Sequence, residues 1–186
     1  MGNYYEMTIA GCKRQLPLCK ISDTTAIAGF VIFGDVELTQ ACARELLKKA
    51  PEYDYMIAPE AKAIPLIYEM ARITGQNDYF LIRKAPKLYM EGVFSHKVKS
   101  ITTEKVQEMF MDGKDARKMK GKRILLLDDV ISTGESMEAM EDLVNEAGGV
   151  VVGRMAVLAE GDAAKRDDII FLEKLPLFTA DFKPID

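Results

Sequence analysis

The sequence is poor in the residues that build covalent or metal scaffolds. Its 186 residues include three cysteines, Cys12, Cys19 and Cys42, with no CxxC pair and an odd count. Neither a disulfide framework nor a zinc site is indicated, and reduced structural thiols are expected. The single histidine, His96, falls in a weakly patterned stretch, where a solvent-exposed loop residue is a more ordinary assignment than a general base. No run approaches the roughly 20 apolar residues of a membrane span, and Met1 to Cys12 lacks the apolar core of a secretion signal. A cytoplasmic protein with no membrane partner is the expectation. Low-complexity tracts and internal repeats are absent, which argues against disorder and repeat architectures. Positive charge is not in excess: 25 Lys and Arg against 29 Asp and Glu give a net charge of −4 and a pI near 5.2. That balance speaks against a nucleic-acid surface, though a local basic patch could hold a small polyanion.

What is present suits one compact domain spanning residues 1–186, with 48% apolar and 29% charged residues. Tyr4 to Ile9 and Gln15 to Ile21 read as extended segments around a Gly11-Cys12-Lys13 turn, followed by a β-rich stretch from Ile27 to Phe33. From Val36 to Lys49 the apolar residues recur at helical spacing, and Pro51 stops the run. Tyr55 to Ala58 reads as a buried strand, Ile64 to Thr74 as a helix ended by Gly75, and Tyr79 to Ile82 as a strand. Between Arg83 and Lys122 the rhythm weakens, as in a long mobile excursion, with Val106 to Met111 as its one clear strand candidate. Arg123 to Leu127 is a continuous apolar run, as in a strand covered on both faces. Ser136 to Ala147 is a helix closed by Gly148-Gly149, Val150 to Leu158 the next strand, and Ile169 to Leu172 a further short one before the apolar turn Leu175 to Phe178. Alternating strands and helices imply an α/β fold with a mostly parallel sheet flanked by helices.

The chemistry concentrates in Leu125-Leu126-Leu127-Asp128-Asp129-Val130-Ile131-Ser132-Thr133-Gly134-Glu135-Ser136. Two adjacent acids at the carboxyl end of a parallel strand sit where open α/β sheets bind ligands, and can accept hydrogen bonds from a vicinal diol such as that of ribose. The turn that follows offers backbone N–H groups, hydroxyls and a helix N-terminus, a combination that favours a phosphate. An isolated acid at a strand end is usually a cap or loop residue, but a twelve-residue string with this order of parts is far more specific.

This string resembles the 5-phosphoribosyl-1-pyrophosphate (PRPP) motif of type I phosphoribosyltransferases. The resemblance implies that fold, with a small hood and a flexible catalytic loop. It also implies that Asp128 and Asp129 hold the ribose hydroxyls while Ile131, Ser132, Thr133, Gly134, Glu135 and Ser136 hold the 5′-phosphate. Glu135 stands where the adenine enzymes often carry glycine. Pro59-Glu60-Ala61-Lys62-Ala63-Ile64-Pro65 is similar to the family's pyrophosphate loop, in which an often cis peptide presents backbone N–H groups. Glu60, Ala61 and Lys62 are thus candidates for binding pyrophosphate, although Lys62 and Ala63 replace the usual Arg and Gly. Arg83-Lys84-Ala85-Pro86-Lys87 looks like the Arg-Lys-x-x-Lys element with which adenine phosphoribosyltransferases approach the phosphates, making Arg83, Lys84 and Lys87 further PRPP candidates.

Tyr89 to Lys105 corresponds in position to the family's flexible loop, which excludes water from the oxocarbenium-like transition state. Glu104 is a candidate proton relay to the base there, and Lys105 a candidate pyrophosphate contact. Hood candidates are Ala26 to Phe33 and Leu158 to Gly161, with Phe30 and Glu160 as base-binding residues. The resemblance implies attack of a purine nitrogen, adenine foremost, on the anomeric carbon of PRPP, giving AMP and pyrophosphate. Mg2+ would be held mainly through PRPP and pyrophosphate rather than by a protein cage. A homodimer is expected from the family. Guanine, hypoxanthine, xanthine or orotate as acceptor, and a non-catalytic PRPP-sensing regulator, are the alternatives. The regulator would be expected to carry a DNA-binding appendage, which this acidic chain does not suggest.

Overall fold

The computed structural model describes residues 3–99 and 106–185. The chain opens with β1 (Tyr4–Ile9), β2 (Cys12–Lys20) and β3 (Thr25–Ala28). The β1–β2 turn consists of Ala10 and Gly11, both at positive φ (49° and 82°), a two-residue geometry whose twist matches that of a hairpin. The turn therefore lies earlier than expected, and Cys12 and Lys13 already pair with Ile9 and Thr8. Of the β-rich stretch expected from Ile27 to Phe33, Ile27 and Ala28 lie in β3, which starts earlier at Thr25, and the chain then runs irregularly to α1 (Val36–Lys49).

Next come β4 (Tyr55–Pro59), α2 (Ile64–Thr74) and β5 (Phe80–Ile82), then the antiparallel ribbon of β6 (Phe94–Lys99) and β7 (Val106–Met111). The chain continues through α3 (Gly113–Met119), β8 (Arg123–Ile131), α4 (Glu135–Glu146) and β9 (Val150–Glu160). A 3-10 turn at Gly161–Lys165 leads to β10 (Ile170–Leu175), β11 (Leu177–Thr179) and β12 (Pro184–Ile185). Of the stretch expected to be a long mobile excursion, Phe94 to Lys99 and Gly113 to Met119 are regular elements. The first is paired along its length with β7; the second is capped by Asp112, whose carboxylate accepts from Lys114 N at 3.0 Å. No helix among the described residues is long and apolar enough to cross a membrane.

Five strands form the central sheet in the order β10-β9-β8-β4-β5, every neighbouring pair parallel. This is the doubly wound order in which the chain reverses direction across the sheet between β4 and β8. The apolar run of β8 explains its place at the centre. Leu125 and Leu127 pack with Leu38, Leu46, Leu66 and Met70 of α1 and α2, while Ile124 and Leu126 pack on the other face with Met119 of α3 and Met140 and Leu143 of α4. A second sheet, β1-β2-β3-β11-β12, is antiparallel and draws strands from both ends of the chain. It contributes Ile9, Leu16, Ala26 and Phe178 to the same core cluster as α1 and α2. Most methionines of α2, α4 and β9 are fully buried, as gap-filling side chains usually are. Cys42 is buried in α1, where burial pushes its thiol up to about 12, consistent with a structural role.

The antiparallel sheet, which forms the hood of this fold, is tied to the core by Arg14 of β2. Its guanidinium donates to Asp35 at 2.6 and 3.0 Å and to Glu37 at 2.8 Å, and Asp35 is the N-cap of α1, accepting from Leu38 N at 3.0 Å. Asp35 thus does two tasks, capping a helix and fastening a strand. Replacing Asp35 with Ala is expected to cost about 1–2 kcal/mol in urea or thermal unfolding. The Arg14 hydrogen bond holds Asp35 below its ordinary value of 3.8. Its contribution should therefore be complete above that value and drain as pH falls through the depressed one, a slope that Asp35→Asn should lack.

Candidate active site

β4 and β8 pair side by side from Tyr55–Ile124 to Ile57–Leu126, and then their chains part. The segment after β4 turns into α2 on one face of the sheet, and the segment after β8 into α4 on the other. A crevice opens at the carboxyl ends of the two strands, where open α/β sheets place their ligands.

The acids do not follow β8 as expected from its apolar run, but lie within it. Asp128 pairs with Ala156 and the strand continues through Val130 and Ile131, opposite Leu158 and Ala159 of β9. Both acids are buried, at 8% and 4% exposure. Asp128 Oδ1 accepts from Asp129 N at 2.7 Å, and Asp129 Oδ2 faces the Lys62 ammonium at 2.6 Å. Burial first, and the adjoining Asp129 carboxyl second, push Asp128 well above the ordinary carboxylate range. Lys62 brings the loop after β4 directly onto the acids, so the two loops singled out in the sequence close on one point.

The Glu60–Ala61 peptide is cis. Glu60 N donates to Ile82 O of β5 at 2.8 Å, and the Glu60 carboxylate accepts from Lys84 N at 2.8 Å and pairs with Arg83 at 3.1 Å. Arg83 also donates to the Tyr89 hydroxyl at 3.1 Å, and its backbone bridges Phe110 of β7. The structure thus engages Arg83 with Glu60, an internal neutralisation that sequence spacing does not reveal. Lys84 is exposed and Lys87 half-buried, and neither ammonium forms an ion pair among the described residues.

Beyond β8, Gly134 at φ +88° caps α4 without a side-chain hydrogen bond. The first-turn N–H groups of α4 have no intrahelical partner by construction, so this end carries free donors and the positive end of the helix dipole. Asp128, Ile131, Ser132, Thr133, Gly134 and Ser136 line a cavity of about 210 Å3 there. A neighbouring cavity of about 360 Å3 shares Ser132 and Thr133 and is completed by Glu160, Gly161, Asp162, Ala163, Arg166 and Leu177. Glu160 ends β9, its carboxyl raised by burial and opposed by a hydrogen bond from Ser132. Arg166 was not among the sequence candidates; its proximity to Thr133 depends on tertiary pairing with no local signature.

Asp128, Asp129, Lys62 and the Ser132 to Ser136 turn are thus brought together, with Glu160 at one side. Phe30 is 4% exposed and belongs to the core cluster of α1 and α2, while Phe33 of the same segment is 49% exposed. Glu104 and Lys105 lie outside the described residues. His96 sits in β6 and approaches Asp142 of α4 at 3.2 Å, which places it in a strand against a helix rather than in a loop. Among the described residues there is no group of three or more His, Cys, Asp or Glu that could hold a metal ion.

Residues 37–184 match the family model described as a phosphoribosyl transferase domain. The chain is 34% identical over 121 residues to adenine phosphoribosyltransferase of Petrotoga mobilis, 62% of each chain. It is 31% identical over 114 residues to hypoxanthine/guanine phosphoribosyltransferase of Methanocella paludicola, 61% of this chain and 56% of that one. The chain spans about three fifths of the length of these curated relatives. Adenine phosphoribosyltransferase from Thermoanaerobacter pseudethanolicus superimposes with a TM-score of 0.67 at 20% identity, over 92% of this chain and 95% of that one. The Saccharomyces cerevisiae enzyme, solved with an imino-altritol bisphosphate and adenine, gives 0.66 at 18% identity over 91% and 92%. These likenesses establish the fold.

One consequence concerns Asp128 alone. Because its folded-state value is raised, stability should decline as pH rises from the ordinary carboxylate value through the raised one. Asp128→Asn keeps the acceptor for Asp129 N and removes the buried charge. The variant should melt at least about 2 °C above wild type at pH 7 and show little difference near pH 4. A lower melting temperature at pH 7 would mean that the carboxylate supports the fold.

Proposed function

Because the chain belongs to the phosphoribosyl transferase domain family, we propose that it transfers the 5-phosphoribosyl group of PRPP to a purine, adenine foremost, releasing pyrophosphate. The observation that carries this reading is the Lys62–Asp129 contact, which joins the pyrophosphate-loop candidate to the ribose-binding acids at the strand ends. In the reaction the ribose hydroxyls would donate to Asp128 and Asp129 while the 5′-phosphate accepts from the N–H groups and hydroxyls of Ser132 to Ser136. Lys62 would leave Asp129 for the pyrophosphate oxygens as the donor enters, and Lys84 and Lys87 would add charge from beyond β5. The acid pair fits a hard divalent cation, and magnesium, when bound, would offset charge on the departing pyrophosphate. Anchored at both ends of its phosphoribosyl group, the donor presents its anomeric carbon toward the cavity beside Glu160, whose raised carboxyl can share a proton with a ring nitrogen. Ring stacking from the segment of Phe30 would fall to Phe33, the exposed aromatic. Glu104 is proposed as the proton relay from the catalytic loop.

PRPP and magnesium supplied with adenine, hypoxanthine, guanine, xanthine or orotate in turn should release pyrophosphate fastest with adenine. A faster rate with hypoxanthine or guanine would reassign the acceptor, as the Methanocella relative's name suggests. PRPP binding with no nucleotide from any base would favour a PRPP-sensing regulator. The double variant Asp128→Asn with Asp129→Asn should lower kcat/KM for PRPP by at least about 100-fold while remaining folded. Unchanged PRPP affinity would remove the acids from the site. We also propose a cytoplasmic homodimer, with the exposed apolar side chains Val31, Val36 and Tyr68 as candidates for burial between subunits. Sedimentation would give twice the 20.8 kDa chain mass.

A further inference from the structure

Between Asp128 and Ala139 the sequence holds acids, hydroxyls, glycine and apolar residues, but no Lys, Arg or His. The phosphate turn therefore offers only neutral donors of its own. A cation reaches it from elsewhere in the chain. Arg166 follows the 3-10 turn after β9, and its Nε and Nη2 donate to Asp168 Oδ1 and Oδ2 at 2.8 and 2.7 Å. This two-pronged bond fixes the plane of the guanidinium and leaves Nη1 as the nitrogen not engaged by Asp168. Nη1 lies over the turn: a Cβ placed on Gly134 would stand 2.5 Å from it. Arg166 also borders the larger cavity, shared by Ser132, Thr133 and Glu160, which adjoins the smaller one lined by Asp128, Gly134 and Ser136. Its side chain is only 30% exposed, so the charge is partly withdrawn from water.

We propose that Arg166 binds the substrate's 5′-phosphate from the Gly134 side of the turn, and that Asp168 is the positioning residue that aims it. The proposal rests on the reading of Ser132 to Ser136 as a phosphate turn. A guanidinium N–H adds a charge-assisted bond to a site otherwise made of neutral N–H groups, and the pair with Asp168 removes in advance the rotamer freedom that binding would otherwise cost. Gly134 then has a second reason to be glycine besides its φ of +88°, since any side chain would push the guanidinium off the turn. Lysine could not replace the arginine, because an ammonium cannot hold Asp168 in two places and still face the turn.

Calorimetry with PRPP and with pyrophosphate, both as magnesium complexes, separates the possibilities, since pyrophosphate lacks the 5′-phosphate. Arg166→Gln should weaken PRPP about 10- to 100-fold and leave pyrophosphate within about twofold of wild type. Arg166→Lys should show the same selective loss. Asp168→Asn, which keeps the cation but loosens its aim, should weaken PRPP about 3- to 10-fold and raise KM for PRPP with kcat kept. Melting curves on all three variants confirm that the fold is intact; should Arg166→Gln fail to fold, the other two decide. Equal weakening of both ligands, or none of either, overturns the assignment of Arg166 while a wild type that binds PRPP leaves the proposed function standing. A wild type that does not bind PRPP overturns both.

Discussion

Parallel pairing of β4 with β8, at the point where the sheet reverses its winding, is the constraint on which the site depends. Strands adjacent in space but distant in sequence deliver their loops to opposite faces, and the gap between those loops cannot be closed by main chain. Lys62 and Asp129 bridge it with an ion pair. With Lys62 46% exposed, the pair contributes little net stability, because solvent screens one end and burial penalises the other. Its effect is electrostatic: among the described residues the buried acid pair is matched by one cation, Lys62, which under the proposed function a polyanionic ligand would draw away. Without a ligand the protein therefore holds the acids in a state that is tolerable yet replaceable.

Asp128 illustrates the cost. An acid at 8% exposure beside another acid would be replaced by an apolar residue if stability alone were served. The neighbouring positions show what stability alone does select, since Leu125, Leu126 and Leu127 are completely buried and apolar. The change from leucine to aspartate within one continuous strand marks where apolar packing gives way to buried charge. The same division recurs one strand away, where Ala159 is buried core and Glu160, the next residue, borders a cavity.

Much of this could be read from the sequence, for identifiable reasons. The bounds of α1 and α2 match the expected ones because periodic apolar residues coincide with strong stops, Pro51 after α1 and Gly75 after α2. The course of β8 was legible as far as its leucines, and its continuation through the acids was not, since strand pairing with β9 rather than hydropathy carries it to Ile131. α3 escaped because seven mostly polar residues give no period, and β6 because Phe94 to Lys99 alternates too weakly. Phe30 and Phe33 are equally aromatic in sequence; only the path of the irregular segment after β3 turns the first inward and the second out. Arg166 could not be found at all by motif, since its partner turn lies on another strand's end.

The join between the two sheets has a mechanical consequence. β10, the edge strand of the central sheet, ends at Leu175, and after the single residue Pro176 the chain is already in β11 of the hood. β11 pairs with β3, and β10 runs beside β9 up to the pairing of Leu175 with Glu160. With Arg14 clamped to the N-cap of α1 at a second point, the hood is held like a shelf bracketed at two places rather than a door on one hinge. A displacement of the hood would be transmitted through one proline to β10 and, across the pairing of Leu175 with Glu160, to the end of β9, so the roof and one wall of the cavity must move as a unit.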